Sequence, residues 1–490
     1  MIADTILYNL RGAGKDGRAV ELIGIDKGTI VFLGPRGAMN DLSGPGTMLL
    51  DCQGGFVVPG FNDAHCHPLG YATTLRQVDC SFPKVRSIAD LQAVLRDRAK
   101  APASDRWLRA ANYQAGALDE RRPPSRWEID AAVPDRPVIL VERSGQHCVL
   151  NSVAMRECGI DDELSDGLVP AHDSMIAERI PPLGVADFES VLRQANTDYL
   201  SHGLTSLQDT SWSNGYRHWC AMRSFRERGL LHPRLTLLPG VDALAEFKER
   251  RLATGSGDDR LRLGAAKIAL DESRGGGYPD QQELDLAALT AHRAGFGLAF
   301  HASDSQLLQM SLKALAAVRA KAGTPVVRPR LEHAPICPPS LHSAIAESGA
   351  VVVTQPYLMF LAEYAGRTDP TSFFPFRSLL AHGIPLAFSS DSPLVPCSPF
   401  QVIAAAVTRA VPGGEPLGVT ERISVADAFR LYSLGGAYAS GQEESSGTLA
   451  LGRWADLAVL DCDPFAVPAN DVRSLKVTMT LIGGAVVWTC

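Results

Sequence analysis

The sequence lacks the features that mark several protein classes. It has no uninterrupted apolar stretch long enough to cross a bilayer, and its first residues lack the basic start and apolar core of a secretory signal. Its ten cysteines include no Cys-x-x-Cys pair, so we expect free thiols in a reducing compartment. The formal net charge of −7 argues against a nucleic-acid partner. We therefore expect a cytoplasmic protein that binds neither membrane nor nucleic acid.

Strand-like segments are concentrated at the two ends of the chain. They share short apolar runs separated by Gly, Asn and Asp, as in "TILYNL", "AVELIGID", "TIVFLG" and "TMLLDC" near the start. The segments "GTLALGRWADLAVLDCD" and "VTMTLIGGAVVWTC" near the end have the same character. Because the long stretch between them has a different pattern, we predict that residues 1–55 and 443–490 together build one small β-sandwich domain.

The middle of the chain alternates between short apolar runs and helix-like stretches. The runs after residue 203 are "GLTSLQDT", "RLTLLPG", "LGAAKIALDE", "FGLAFHASD", "RPRLEHAPI", "AVVVTQPY" and "IPLAFSSDS". With "FVVPGFNDAH" as the first strand they make eight, and such alternation indicates parallel βα units. The predicted fold is α/β, a (β/α)8 TIM-type barrel over residues 56–442. Residues 68–202 are too long for a loop and predict an insert domain after the first barrel strand.

Polar side chains stand at the ends of these predicted strands. Side chains two positions apart in a strand point to the same side, so His65 and His67 in "VVPGFNDAHCHP" are expected to lie together. Further candidates are Lys267 in "GAAKIAL", His301 in "AFHAS", His333 in "RLEHA" and Asp391 in "FSSDSP".

Each of these residues also has an ordinary explanation. A histidine can close a strand or satisfy its hydrogen bonds within a core, and "SDSP" is a turn signal. Lys267 fits a strand edge, although a lysine buried among Ala, Ile and Leu is costly unless it is paired or modified. Chemistry in a barrel takes place at the carboxyl ends of the strands, so the six side chains together predict a metal site there.

These motifs in combination resemble the amidohydrolase superfamily. Within it, the chain is similar to the YtcJ-like branch, amidohydrolase family 3, which includes N-substituted formamide deformylase. The resemblance covers nearly the whole chain and rests on "VVPGFNDAHCHP", "DRPVILVERSGQHCVLNSVAMRECGI", "FHASDSQ", "RLEHAP", "FSSDSPL", "RISVADAFRLYSLGGAYASG" and "GTLALGRWADLAVLD". Two positions depart from the branch pattern: Ser303 replaces a glycine before Asp304, and residues 271–273 read Asp-Glu-Ser where Asp-Gly-Ser is common. These departures leave the substrate class open.

The resemblance implies a site with two divalent metal ions. His65 and His67 would hold one ion and His301 and His333 the other, while an N-carboxylated Lys267 would bridge them. A carbamate on Lys267 also explains a lysine in an apolar strand, because two cations would compensate the anion. Asp391 would bind metal and transfer protons. Nitrogen and oxygen ligands of this kind suit Zn²⁺.

The reaction expected from this resemblance is hydrolysis of a C–N, amide-type bond by a hydroxide that bridges the metals. The substrate would be a small molecule, an N-acyl or N-formyl amine. His147 is the candidate for stabilising the oxyanion and Arg143 is a weaker one, whereas the alternative for His147 is a structural hydrogen bond within the insert. Two other functions stay open, a mononuclear amidohydrolase-type deaminase and a non-catalytic binding or regulatory homologue. A homodimer is expected by resemblance alone.

Overall fold

A computed structural model describes most of the chain, and its residues form two compact units. The described residues are 2–15, 17–100, 106–143, 145, 147–160, 165–171, 179–270, 277–325, 327–361, 371–410 and 415–490. The first unit is Met1–Pro68 with Asn196–Cys490, and the second is Leu69–Ala195. The departures noted at residues 271–273 lie outside the described residues.

Two sheets in the first unit are built from the ends of the chain. A four-stranded sheet has the order Thr29–Gly34, Leu22–Asp26, Thr5–Tyr8, Met48–Asp51. A six-stranded sheet has the order Ala485–Thr489, Val477–Ile482, Leu457–Leu460, Phe56–Pro59, Arg11–Ala13, Ala19–Val20. Apolar side chains of both sheets, such as Ile23 and Val459, share one buried cluster. The two chain ends therefore fold together.

Two further sheets in the first unit contain only parallel strands. One has the order Leu261–Leu263, Arg234–Leu237, Leu204–Asp209, Phe61–Cys66, and the other has the order Ala266–Ile268, Leu298–Ala302, Arg330–His333, Val351–Thr354, Leu386–Phe388. All eight predicted strands therefore occur in the predicted order. The strand that carries His65 begins at Phe61, because the preceding Phe56–Pro59 pairs within the six-stranded sheet.

The fourth predicted strand is divided into two pieces at Gly264. A β-carbon there would lie 2.8 Å from Leu238 Cδ1 and 2.9 Å from Thr236 Cγ2, so a larger residue would require these side chains to shift. The second piece still lies next to the end of the third strand, because the Lys267 N–H donates to the Pro239 carbonyl at 2.8 Å. The division therefore leaves Lys267 beside the end of the third strand.

The described helices of the first unit are Met39–Leu42, Tyr216–Glu227, Leu244–Glu249, Gln281–Arg293, Ser305–Ala322, His342–Ser348, Phe376–Ala381, Pro399–Thr408, Val425–Arg430 and Gly436–Ala439. Two of these helices, Gln281–Arg293 and Ser305–Ala322, lie between strands of the five-stranded parallel sheet. Each begins at an aspartate, Asp280 or Asp304, whose carboxylate accepts a backbone N–H of the first turn.

The second unit contains a mixed five-stranded sheet and short helices. The strand order is Leu168–Pro170, His147–Leu150, Val138–Glu142, Leu108–Tyr113, Val78–Asp79. The helices are Ile88–Lys100, Arg126–Asp130 and Ser152–Glu157, and Pro68–Thr74 and Val185–Ser201 overlap its two ends. Across the described ranges of the chain, no helix combines the length and apolarity that a membrane span requires.

Candidate metal centre

The first parallel strand delivers two histidines to one place. His65 is 1% exposed, and His67 follows the strand and is half-buried. Their rings lie 5.6 Å apart between centroids. The Nε2 atoms of His65 and His67 are 3.6 Å and 3.1 Å from the same oxygen, Oδ1 of Asp391. The pair that the alternating pattern predicted therefore converges on the aspartate at the end of the eighth strand.

The sixth and eighth strands end in strained backbone that turns their side chains toward this pair. His333 has φ of +72° and Asp391 has φ of +64°, and both values lie in the left-handed region that favours glycine. Non-glycine residues in that region cost of order 1 kcal/mol or more and are concentrated at functional sites. The Asp391 N–H donates to the His65 carbonyl at 2.8 Å, which fixes the aspartate against the first strand.

The other predicted ligands lie near the same cluster. Ligand atoms of His65, His333 and Asp391 all lie within 4.8 Å of one another. The His301 ring is 4.7 Å from the His333 ring. Lys267 is 1% exposed, and its charge acts on both histidines of the first strand. The structure thus brings the four predicted histidines and Asp391 together, and it places Lys267 on the strand next to the one that carries His301.

Three of the histidines have their Nδ1 atoms held by side chains on other strands or in the turns that follow them. His65 Nδ1 is 2.6 Å from Glu332 Oε2. His333 Nδ1 is 2.9 Å from Gln355 Oε1. His67 Nδ1 is 2.9 Å from Ser211 Oγ. Metal-binding histidines usually have the second ring nitrogen fixed in this way, which orients the ring and leaves Nε2 for the metal.

A buried network of charged side chains holds the His65 ring in position. Arg330 is 1% exposed, and its Nε donates to Glu332 Oε1 at 2.7 Å. The same guanidinium donates to the Ala64 carbonyl at 2.7 Å and to Gln208 on the second strand. Glu332 thus accepts from both Arg330 and the His65 ring, which couples the position of His65 to three strands.

Burial and charge shift the pKa values of the first-strand residues in different directions. Burial, followed by the charge of Lys267, holds the pKa of His65 well below its usual range. Burial opposes protonation of His67, but its hydrogen bond to Asp391 and the nearby carboxylates raise its pKa overall. Burial raises the pKa of Asp63 to about 6, against hydrogen bonds from Ser390 and Tyr432. A neutral His65 is the form that can bind a metal ion.

The donor set fits a divalent cation. It combines imidazole nitrogens with a carboxylate, all held by strand ends and largely excluded from solvent. Nitrogen and oxygen donors of this kind are the usual ligands of catalytic Zn²⁺ and of related ions. A buried carboxylate such as that of Asp391 needs a compensating positive charge, which a bound cation would supply.

The predicted oxyanion candidates belong to the second unit. His147 is exposed and begins the strand His147–Leu150, and the Arg143 N–H donates to the Tyr113 carbonyl at 3.0 Å. Their catalytic role stays a prediction from the sequence. Asn151, at another motif position, is buried and caps the helix Ser152–Glu157. Its amide also bonds three backbone groups nearby, so its role is structural.

Sequence reasoning missed the residues that support the ligands. Arg330 and Glu332 are charged residues within a predicted strand, as Lys267 is, although their strand, Arg-Leu-Glu-His, has only one apolar residue. Ser211 and Gln355 had no such signal, because serine and glutamine are common after strands. Asp63 lies two positions before His65, where the alternation of a strand places it on the same side.

Comparison with known proteins assigns the chain to a family. The model of the amidohydrolase family matches residues 49–488. The chain belongs to the amidohydrolase family. N-substituted formamide deformylase of Arthrobacter pascens is 27% identical to this amidohydrolase, over 97% of this chain and 96% of the relative. YtcJ of Bacillus subtilis is 25% identical, over 97% of each chain. The predicted resemblance and the prediction of a metal-dependent amidohydrolase are thereby confirmed.

A solved structure shows the same fold. The crystal structure of an uncharacterised metal-dependent hydrolase from Pyrococcus furiosus matches this amidohydrolase with a TM-score of 0.73. The two are 23% identical, and the match covers 94% of this chain and 99% of the other. At that identity the likeness establishes a shared mixed α/β fold with parallel sheets.

Proposed function

We propose that this amidohydrolase hydrolyses the C–N bond of an N-acyl or N-formyl amine. The observation that carries the proposal is the convergence of histidines and Asp391 on one buried cluster at the ends of parallel strands. The Arthrobacter pascens relative is named for the removal of a formyl group from N-substituted formamides, which supports an amide-type substrate.

The metal ligands follow from the cluster. His65 and His67 would hold one divalent ion, His301 and His333 a second, and Asp391 would contribute an oxygen. Lys267 would bridge the ions as an N-carboxylated side chain, because an unmodified ammonium among neutral histidines would repel cations. Zn²⁺ at such donors would polarise a carbonyl and bring the pKa of water near neutrality.

Asp391 is proposed as the group that moves protons. Its Oδ1 faces the Nε2 atoms of both first-strand histidines, and its side chain is 8% exposed. A carboxylate held there can take a proton from the attacking water and return it to the leaving nitrogen. Stabilisation of the oxyanion by His147, or more weakly by Arg143, stays a prediction from the sequence.

We also propose that the two parallel sheets are parts of one (β/α)8 barrel, with the terminal sheets forming a β-sandwich. Backbone support comes from the bond between the Asp391 N–H and the His65 carbonyl, which joins the eighth strand to the first. Packing gives further support, since Ala64 of the first strand lies in one buried cluster with Val351 and Ala387. Closure of the sheet would bring all strand ends to one mouth.

One observation favours the alternative of a mononuclear enzyme. His65, His333 and Asp391 form a close donor group that is sufficient for a single ion. A single-ion site has no need of a bridging carboxylate, so the buried Lys267 favours two ions. Metal stoichiometry separates these cases. A cytoplasmic location and a homodimer stay proposals that rest on the sequence.

The experiment that tests the proposed reaction is a screen for released amine. Metal-loaded protein is incubated with N-formyl and N-acetyl derivatives of alkyl and aryl amines, and the free amine is measured with an amine-reactive dye. We expect release from at least one derivative, loss of release after chelation, and recovery when Zn²⁺ is restored. Protein that holds two ions and releases no amine from any derivative would contradict the proposal.

A further inference from the structure

His67 is connected to the second strand by a chain of two hydrogen bonds. Its Nδ1 lies 2.9 Å from Ser211 Oγ, in the turn after Leu204–Asp209. Ser211 Oγ in turn lies 2.7 Å from Asp209 Oδ1, and the Ser211 N–H reaches the same oxygen at 3.0 Å. Asp209 is 3% exposed. The path therefore runs from a buried carboxylate through a hydroxyl to the imidazole.

The direction of these bonds determines where the His67 proton lies. A hydroxyl has one proton to donate, and a carboxylate only accepts. The Ser211 O–H therefore donates to Asp209, and its oxygen is left to accept from His67. The hydrogen on the ring must then be on Nδ1. In a neutral imidazole this leaves the lone pair on Nε2, where a cation can bind. Without a cation, a second ring hydrogen on Nε2 donates to Asp391 Oδ1 at 3.1 Å, and a metal ion would take the place of that hydrogen.

We propose that Asp209 and Ser211 are positioning residues that keep His67 in the tautomer that binds metal through Nε2. The inference rests on the proposed metal site and adds two residues to it. Without the Ser211 hydroxyl, a neutral His67 ring is more stable with its hydrogen on Nε2, from which it donates to Asp391. In that tautomer Nε2 has no lone pair left to bind a cation. Supporting partners of this kind typically change metal affinity by 10- to 100-fold.

Removal of the Ser211 hydroxyl should lower the affinity for only one of the two ions. His65 is held by Glu332 and His333 by Gln355, and neither bond involves Ser211 or Asp209. Loss of the hydroxyl should therefore weaken the ion that His67 binds and leave the other ion nearly unchanged. A purely structural role for Ser211 would instead lower the affinity for both ions together.

The test compares Co²⁺ binding by the full-length wild type with Ser211→Ala, Ser211→Thr and Asp209→Asn, titrated against a competing chelator. Ser211→Ala should weaken one of two association constants by roughly 10- to 100-fold, and Asp209→Asn should weaken the same one by less. Ser211→Thr keeps a hydroxyl, so its association constants should be close to those of the wild type. Ser311→Ala is the matched control, because the Ser311 hydroxyl is also buried but donates to the Leu307 carbonyl within a helix.

A spectroscopic readout reports the tautomer directly. In the Co²⁺-loaded protein, each histidine bound through Nε2 gives a strongly shifted, solvent-exchangeable ring N–H signal. Ser211→Ala should speed the exchange of one such signal, and Ser211→Thr should return it to the wild-type rate. Two unchanged constants with all signals retained in Ser211→Ala would overturn the inference while leaving the metal site intact. A wild type that binds no Co²⁺ would refute the metal site and this inference with it.

Discussion

Asp391 is the residue on which the candidate site depends most. It faces three histidines, with its carboxylate oxygens 3.1 Å from His67, 3.6 Å from His65 and 3.9 Å from His333. Its backbone is held in the left-handed region and donates to the first strand. A carboxylate fixed in this way can exchange a proton with a reacting group without first changing its position, and proton transfer in an active site requires such fixed geometry.

We expect Asp391→Asn to lower kcat by roughly 10²- to 10⁴-fold, because an amide cannot take up and return the proton. The measurement is steady-state hydrolysis of the best amide from the screen, with metal content determined on the same sample. Asp427→Asn is the matched control, since Asp427 is only partly buried in the first turn of the helix Val425–Arg430, away from the metal cluster, and should keep wild-type activity. Activity of Asp391→Asn within tenfold of the wild type would argue against the proposed role.

His65 should make the stability of the metal-free protein depend on pH. Burial, with the charge of Lys267, keeps the folded-state pKa of His65 well below its usual value, so the unfolded chain binds the proton more readily. The contribution of His65 is therefore complete above about pH 6.5 and is lost as the pH falls below that value. The loss amounts to about 1.4 kcal/mol for each pH unit while the unfolded histidine is protonated and the folded one is not.

The measurement is urea unfolding of the metal-free protein at neutral and mildly acidic pH. His65→Gln should show a smaller decrease in unfolding free energy than the wild type as the pH falls. His147→Gln serves as the control, because His147 is exposed and its removal should leave the pH dependence unchanged. Equal pH dependence in wild type and His65→Gln would show that His65 is not held neutral by burial.

Among the elements, the sixth strand has an unusual composition for a buried parallel strand. Its residues Arg330, Glu332 and His333 are all buried, although central parallel strands are usually continuous apolar runs. Arg330 and Glu332 lie on the same side of the strand and form an ion pair at 2.7 Å. The pair connects the sixth strand to the first and second strands, so it fixes the element that carries His333.

We predict that Glu332→Gln lowers the free energy of unfolding by about 3–5 kcal/mol, because it leaves the Arg330 guanidinium buried without its counter-charge. The quantity is measured by urea unfolding at neutral pH. Asp97→Asn removes the exposed partner of Lys100 and should cost no more than about 1 kcal/mol. A loss for Glu332→Gln as small as that of the control would show that the buried pair contributes little.

The same element shows how far sequence reasoning reaches. Strand ends could be located from apolar runs, and His65, His301, His333 and Asp391 followed as the polar residues that end those runs, because the expected barrel carries its chemistry at the carboxyl ends of its strands. The residues that orient the ligands could not be found in this way. Contacts such as Ser211 with His67 join positions far apart in the chain, and their distance depends on how the strands pair.

At the scale of the whole molecule, the chain ends could be predicted to fold together, and the strand Phe56–Pro59 shows why. It lies between Leu457–Leu460 and Arg11–Ala13, so it joins early and late segments in one sheet. The extent of the sheet could not be predicted, because "FVVPGFNDAH" has one apolar pattern although its two halves pair with different sheets. The predicted domain boundaries stay predictions.

We propose that this amidohydrolase holds two divalent ions through its histidines, Lys267 and Asp391. The most direct measurement is metal content per chain, by inductively coupled plasma mass spectrometry, on protein purified without chelator. We expect about two ions in the wild type and fewer in Lys267→Ala, which cannot form a bridging carbamate. About one ion in both proteins would favour the mononuclear alternative, and none after reconstitution with Zn²⁺ and bicarbonate would contradict the account.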